Sequence, residues 1–363
     1  MAALRVVLLF GGQSGEHEVS INSAQSVLRA IDKQRYIVDT IGISRTGQWM
    51  WGLQPEQMME GFPPVGKFPL VTLVHDPVAP HFLALDGSPL PNGGRFDIIF
   101  PVLHGTYGED GTLQGLLEMA NVAYVGSGVL GSSLGMDKDR MKAAFVHAGL
   151  RLAKYITLLR SQVRNNPEAV VDLIEDSIGC PCFVKPANLG SSVGITKAHD
   201  RNELFEALRI ATMFDRKIVV EENVNGREIE VSVLGNDYPS ASLPGEILPA
   251  KEFYDYEAKY RNADSRLIIP ADLSSTMVEK LQQAAITAFR SVEGCGLSRV
   301  DFFVTHDDQI IINEINTMPG FTSISMYPKL WEVSGIKYSQ LIDRLIDLGL
   351  ERFRDRQDRR ISL

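Results

Sequence analysis

The stretch SRVDFFVTHDDQIIINEINTMPGFTSIS, residues 298–325, holds the densest pattern in this chain. Side chains along a strand alternate between faces with a period of two. Over 299–304, Arg299, Asp301 and Phe303 therefore share one face, and Val300, Phe302 and Val304 the other. Over 311–316, Ile312, Glu314 and Asn316 fall together, opposite Ile311, Asn313 and Ile315. The polar residues 305–310 turn between the runs, which predicts a hairpin. Pairing Val304 with Ile311 sets Asp301 opposite Glu314 and Arg299 opposite Asn316. Two facing carboxylates repel unless something cationic sits between them. With a carboxamide and an arginine beside them, they make an oxygen cage suited to Mg²⁺ and phosphate. The expectation is a metal–nucleotide site with Asp301, Glu314 and Asn316 as metal ligands.

Outward from this hairpin, the chain is long enough for about two to three domains. Its 363 residues are 44% hydrophobic and 22% charged, as in a globular protein with a full core. A formal charge of −9 argues against a nucleic-acid or anionic-membrane partner, which would need a basic face. No apolar run approaches the roughly 20 residues of a membrane span. The opening run ALRVVLLFGG reads as a buried first strand rather than a signal peptide. The three cysteines, Cys180, Cys182 and Cys295, have neither zinc nor disulfide-framework spacing, which points to reduced thiols in a cytoplasm.

Residues 4–10 read as a strand, 11–15 as a tight loop and 18–31 as a helix, followed by strands at 36–43 and 97–103. That rhythm predicts a parallel α/β domain. Residues 53–94, rich in Pro and Gly, read as loop with short strands. Beyond 127 the pattern predicts helices near 138–148, 167–177 and 201–213, and strands at 153–159, 182–186, 217–222 and 226–234. Residues 243–266 read as a long ordered loop. The helix at 276–292 has Thr276 and Glu279 as a capping box and Met277, Leu281, Ala284, Ala288 and Val292 as its stripe. A last helix covers 338–350, and the charged tail after it reads as a solvated end.

Several motifs carry chemistry. In VKPANLGSSVG, residues 184–194, Lys185 sits on a strand beside a glycine-serine loop whose backbone N–H groups can cradle phosphate. The spacing is not that of a P-loop. Lys138, in MDK after a glycine-rich run, can reach a phosphate, although on its own it reads as an exposed helix-start lysine. Glu221, at the end of KIVVEE, can accept hydrogen bonds from a ribose, or can merely guard an edge strand. Glu16, in the loop GGQSGEHEVS, either caps a helix or faces the amine of a small substrate. His104 follows a strand at its carboxyl end, where ligands collect in α/β sheets, yet a lone loop histidine is more often structural. The aromatic segment EFYDYEAKY, residues 252–260, reads either as a lid over a site or as a static flap.

Taken in order, HGTYGEDGTLQG, MDKDRMK, VKPANLGSSVG, EFYDYEAKY, SRVDFF and NEINTMPGFTSIS resemble the D-alanine–D-alanine ligase family of the ATP-grasp enzymes, over nearly the whole chain. The resemblance implies an α/β and α+β fold of ATP-grasp architecture, with an N-terminal parallel α/β domain (1–126) and two domains (127–220 and 221–363) sandwiching ATP. It implies that Lys138 and Lys185 contact ATP phosphates, with Glu221 and Glu228 near adenine and ribose. Ser192, Glu222, Tyr254 and Asn313 join the ATP contacts, and His104 the substrate contacts. Asp301, Glu314 and Asn316 would hold two Mg²⁺ ions, or Mn²⁺. Glu16 would bind the ammonium of the first D-alanine and form a hydrogen-bonded set with Ser191 and Tyr260. Lys259 and Ser325 would receive the second D-alanine's carboxylate, and Arg299 with the N–H of Gly320 would form an oxyanion hole.

The activity so implied is ATP-dependent joining of two D-alanines through a D-alanyl phosphate for peptidoglycan precursors, by a cytoplasmic homodimer. D-Lactate-using relatives differ in the lid, where this chain keeps Tyr260. A D-alanine–D-lactate or other carboxylate–amine ligase, and a catalytically dead nucleotide-binding regulator, are the alternative readings. The intact set of Arg299, Asp301, Glu314, Asn316 and Lys185 argues against the regulator.

Overall fold

The structure, a computed structural model, describes residues 3–61, 66–190, 193–248 and 266–359. Its first layer comprises, in chain order, β1 (Leu4–Gly11), α1 (His17–Ala30), β2 (Tyr36–Ile43), β3 (Trp49–Trp51), the short α2 (Pro55–Met59), β4 (Val71–Val74), β5 (His81–Ala84), β6 (Ile98–Pro101) and α3 (Thr112–Met119). β1 is apolar almost without interruption, as a strand covered on both faces must be. It pairs in parallel with β2 on one side and β6 on the other, while β3 is an antiparallel edge on β2. The chain leaves β1 toward β2 and enters β6 from the other side, so a crevice opens at the carboxyl ends of β1 and β6. Within 53–94 the expected short strands are present as the β4–β5 hairpin, which also adds Val71, Leu73 and Phe82 to the core beneath Trp51.

The middle of the chain runs α4 (Val129–Met136), α5 (Lys138–His147), β7 (Tyr155–Leu159), α6 (Arg160–Asn165), α7 (Pro167–Ser177), β8 (Cys182–Pro186), β9 (Thr196–Ala198), α8 (Arg201–Phe214) and β10 (Lys217–Glu222). Its sheet is antiparallel, in the order β7-β10-β8-β9. α4 was not expected, because its glycines lower helix propensity. Gly131 is there for close packing: a Cβ would lie 2.5 Å from the carbonyl oxygen of Glu293.

The last part holds β11 (Gly226–Gly235), β12 (Ser240–Ala241), β13 (Gly245–Leu248), β14 (Arg266–Ile268), α9 (Ser275–Ser291), β15 (Gly296–Thr305), β16 (Ile310–Asn316), α10 (Met326–Val333) and α11 (Tyr338–Gln357). Its sheet runs β14-β13-β11-β15-β16, with β12 paired to β11. Three expectations change here. Residues 243–266 are not all loop, since β13 and β14 pair through Leu248 and Arg266; the aromatic segment between them lies outside the described residues. α9 is capped by Ser274, whose Oγ accepts from the N–H of Met277 at 3.3 Å, rather than by Thr276, which already sits in the first turn. The charged run after residue 350 continues α11 instead of ending it. Arg352 stacks 4.1 Å from the centre of the Tyr124 ring, and Arg356 donates to the carbonyl of Val122. Through Leu341, Ile342, Leu345 and Ile346, α11 shares a core with Val6, Leu8 and Phe100, so the C-terminal helix closes the N-terminal sheet.

Candidate active site

The two antiparallel sheets face each other across a cleft of about 400 Å³, with Lys185 and Glu221 on one wall and Glu228, Asp301, Asn313 and Glu314 on the other. The hairpin behind the second wall has the expected register at its open end: Arg299 pairs with Asn316 and Asp301 with Glu314. Toward the turn the pairing shifts by one residue, so that Val304 meets Ile310 rather than Ile311. The shift is a β-bulge after Asp301, with Asn313 as the unpaired residue. It corrects the face assignment. Ile312 joins Ile315 in the core, while Asn313 turns to the cleft beside Glu314.

Charge on this wall is balanced only in part, by Arg299. Arg299 grips Asp301 through two 2.7 Å hydrogen bonds and lies 3.0 Å from Glu230, and Asn316 Nδ2 donates to Asp301 Oδ2 at 3.2 Å. Mg²⁺ takes one or two carboxylates and completes its shell with phosphate and water oxygens. Asp301, Glu314 and Asn316, all hard oxygen donors, suit that requirement. Among the described residues no group of three or more Asp, Glu, His or Cys side chains is placed to hold a metal ion by itself.

Two of the lysines are placed by one short helix and the third by β8. Asp137 caps α5 by accepting from the N–H groups of Asp139 and Arg140, and Lys217 pins Asp137 at 2.6 Å and Asp139 at 3.2 Å. This fixes Lys138 at the first position. It is buried rather than the exposed helix-start lysine its local sequence suggests, with Nζ donating to the carbonyl of Leu189 at 2.7 Å and lying 3.9 Å from Glu314. One turn on, Lys142 is almost fully enclosed, its Nζ 3.1 Å from Glu221 Oε1 and 3.4 Å from the carbonyl oxygen of Asn313. Lys185 Nζ donates to the other oxygen, Glu221 Oε2, at 2.9 Å and lies 3.4 Å from Asn313 Oδ1. Burial pushes the Glu221 carboxyl up, but the two ammonium groups outweigh it and hold the group at about 2. Burial pulls Lys142 down, against the pull of Glu221.

The other end of the site lies in the crevice of the first sheet. Glu16 and His104 are buried there. His104 is held on both ring nitrogens, by the carbonyl of Met318 at 2.9 Å and by Ser23 Oγ at 3.0 Å, and burial lowers its pKa. Gly105 (φ +75°) and Gly190 both give way to Glu16: a Cβ would lie 2.7 Å from Glu16 Oε2 at the first and 2.6 Å at the second. The glycine-serine strand end thus meets the N-terminal loop over this carboxylate. Glu109, part of the motif HGTYGEDGTLQG but given no role by the sequence, is buried beside it and accepts from the N–H of Gly105 at 2.8 Å. Burial first, and then the charge of Glu16, push its carboxyl up to about 8.

Not every expected residue converges. Ser325 is the N-cap of α10, and its Oγ is 2.7 Å from Thr322 Oγ1. Gly320 follows the Met318 carbonyl that holds His104, and the next residue, Phe321, donates its N–H to Ser23. Glu222 and Glu228 both line the cleft, although Glu222 also accepts from the N–H of Lys154 at 2.8 Å. Ser191, Ser192, Tyr254, Lys259 and Tyr260 lie outside the described residues. Three residues were missed: Lys142, Glu109 and Glu230. A period of two from Glu228 would have found Glu230, and a four-residue step from Lys138 would have found Lys142. Nothing local marks Glu109.

Comparison with known proteins agrees along the chain. The profile of the D-ala D-ala ligase N-terminus matches residues 5–127, and that of the D-ala D-ala ligase C-terminus matches residues 144–347. A D-alanine--D-alanine ligase of Heliobacterium modesticaldum is 53% identical over 97% of this chain and 96% of its own length. One of Natranaerobius thermophilus is 51% identical over 97% and 96%. Among solved structures, the D-alanine-D-alanine ligase from Coxiella burnetii superposes with a TM-score of 0.85 at 38% identity, covering 98% of this chain and 97% of that one. The VanG D-Ala:D-Ser ligase from Enterococcus faecalis superposes with a TM-score of 0.84 at 36% identity, covering 96% and 100%. With its two profiles in order and half its residues shared with full-length relatives, the chain belongs to the D-alanine–D-alanine ligase family.

Proposed function

We propose that the chain joins two D-alanines into D-alanyl-D-alanine at the expense of ATP, releasing ADP and phosphate. The observation that carries this reading is the placement of two lysines (Lys138, Lys185) and hard oxygen donors (Asp301, Glu314, Asn316) along two adjoining cavities that share Ile195 and Glu314, with the buried carboxylate of Glu16 against Gly190 at the edge of one of them. A carboxylate is a poor electrophile, so the γ-phosphoryl group first passes to a carboxylate oxygen of one D-alanine, breaking its bond to ADP. The second amine then attacks the carbonyl carbon, phosphate leaves with the C–O electrons, and the nitrogen sheds a proton.

In this reading Lys138 and Lys185 hold the phosphates, and Glu16, with Ser191 and Tyr260, holds the first ammonium. His104, fixed on both nitrogens and kept neutral by burial, is a wall of that subsite. Glu221, Glu222, Glu228, Ser192, Tyr254 and Asn313 are assigned to the nucleotide, and Lys259 and Ser325 to the second carboxylate. Mg²⁺ on Asp301, Glu314 and Asn316 would supply charge neutralisation at the phosphates. Arg299 and the N–H of Gly320 would receive the tetrahedral oxyanion, a role worth roughly 3–4 kcal/mol per donor. Residues 252–260, the lid of the sequence reading, would exclude the water that hydrolyses an acyl phosphate. The same reading assigns a cytoplasmic homodimer that makes peptidoglycan precursors. No helix among the described residues is long and apolar enough to cross a membrane.

The test is phosphate release with ATP and Mg²⁺, and products read by mass spectrometry. D-Alanine alone is expected to give dipeptide and L-alanine none. A mixed product formed in preference when D-serine or D-lactate is added would move the second-substrate assignment. No turnover with any pair would sink the ligase reading and leave the nucleotide-binding regulator.

A further inference from the structure

We propose that Lys142 is a positioning residue for the nucleotide: it neutralises Glu221, so that Lys185 presents an uncompensated positive charge to the phosphates. This rests on the nucleotide-site reading above. Lys142 is 1% exposed, and a lysine enclosed to that degree is retained only with a partner for its charge. A methionine would fill the same volume without the desolvation cost, so packing alone gives no reason for an ammonium here.

The reason lies in the next residue of the chain of contacts. Glu221 offers one oxygen to Lys142 at 3.1 Å and the other to Lys185 at 2.9 Å. The carboxylate gives Lys185 a rigid position on β8, but as a lone partner it would also cancel the charge that Lys185 brings to a phosphate. With Lys142 on the opposite oxygen, the three groups sum to +1, and that charge faces the cleft, because Lys142 is enclosed while Lys185 lines the wall. Lys142 sits four residues after Lys138 on α5, so one helix face delivers both the cation that faces the site and the cation that balances it. Its second contact, 3.4 Å to the carbonyl oxygen of Asn313, holds the bulge that turns Asn313 and Glu314 toward the cleft.

The experiment measures ADP and adenosine affinity by calorimetry, at fixed Mg²⁺ and ionic strength, for the wild type, Lys142→Met and the double variant Lys142→Met/Glu221→Gln. Adenosine reports the purine and ribose contacts, and the ADP-to-adenosine ratio reports the phosphate field. In Lys142→Met the ratio is expected to fall on the order of ten- to a hundredfold, since Glu221 then cancels Lys185. In the double variant Lys185 regains its charge, and the ratio is expected to recover roughly tenfold or more over the single variant. A structural role alone would lower both affinities together and leave the double variant no better than the single; either result overturns the inference. Should Lys142→Met fail to fold, the double variant decides, because it removes the buried pair together. Its ratio is read against that of Glu221→Gln alone, which keeps Lys142: a ratio roughly fivefold or more higher in Glu221→Gln supports the charge-balance role, and equal ratios refute it. Wild-type protein that binds adenosine but gains nothing from the phosphates of ADP would sink the nucleotide-site reading itself.

Discussion

Glu109→Gln tests the electrostatics of the substrate end of the site. Glu109 is buried beside Glu16, with the N–H of Gly105 on its carboxylate, Lys138 within electrostatic reach and His104 neutral nearby. Its carboxyl is pushed up to about 8 from an ordinary value of 4.5. In the unfolded chain the group ionises above about 4.5, whereas the folded protein keeps the proton until about 8. Folding therefore takes up a proton in that window. Stability falls by about 1.4 kcal/mol per pH unit as pH rises through it, levels off above the folded value, and is not penalised below the unfolded one. The full gap sets an upper bound of ~5 kcal/mol, and relaxation around a buried pair reduces that to a few. Glutamine copies the protonated acid and carries no such penalty. The assay is thermal unfolding of both proteins at pH 5, 6.5 and 8.5, at one scan rate and ionic strength. The midpoints should nearly coincide at pH 5, with the variant higher by on the order of 5 °C at pH 8.5. A gap that does not change with pH, or a variant less stable at every pH, would refute the reasoning and make Glu109 an ionised partner of Lys138.

Three further outcomes are expected. Glu314→Gln should keep its unfolding midpoint within a few degrees while turnover falls about a hundredfold or more, with a raised Mg²⁺ requirement read from a metal titration. Gly105→Ala places a Cβ 2.7 Å from Glu16 Oε2 on a φ of +75°, so steady-state kinetics should show KM for D-alanine raised roughly ten- to a hundredfold. Arg299→Met removes the cation from Asp301 and Glu230, and turnover should fall about 10²–10³-fold. Added Mg²⁺ should then raise its midpoint more than that of the wild type, since a bound cation replaces the missing charge.

The hairpin at 296–316 was legible because its information is local. Alternation with a period of two puts Arg299, Asp301 and Phe303 on one face whatever surrounds them, and opposed carboxylates are tolerated only where a cation is supplied. The buried strand β1 was legible for the same reason, through its unbroken apolar run. The bulge at Asn313 was not, because a one-residue register shift is set by how Ile312 and Ile315 pack into the core and not by the strand's own pattern.

In the sequence alone, the order of the motifs determined an ATP-grasp ligase scaffold through their resemblance to the D-alanine–D-alanine ligases, while local periodicity and residue chemistry picked out most of the charged groups in its cleft. Tertiary structure alone decided which charges are balanced and which are exposed. Lys138 reads locally as an exposed helix start, yet folding buries it against Leu189; Lys142 becomes the enclosed partner of Glu221; and burial beside Glu16 pushes the Glu109 carboxyl up. The charged C-terminal run is likewise solvated by its composition but is drawn onto Tyr124 by the core that α11 shares with the first sheet. Desolvation and charge pairing depend on neighbours dozens to hundreds of residues away, so only the folded chain sets them.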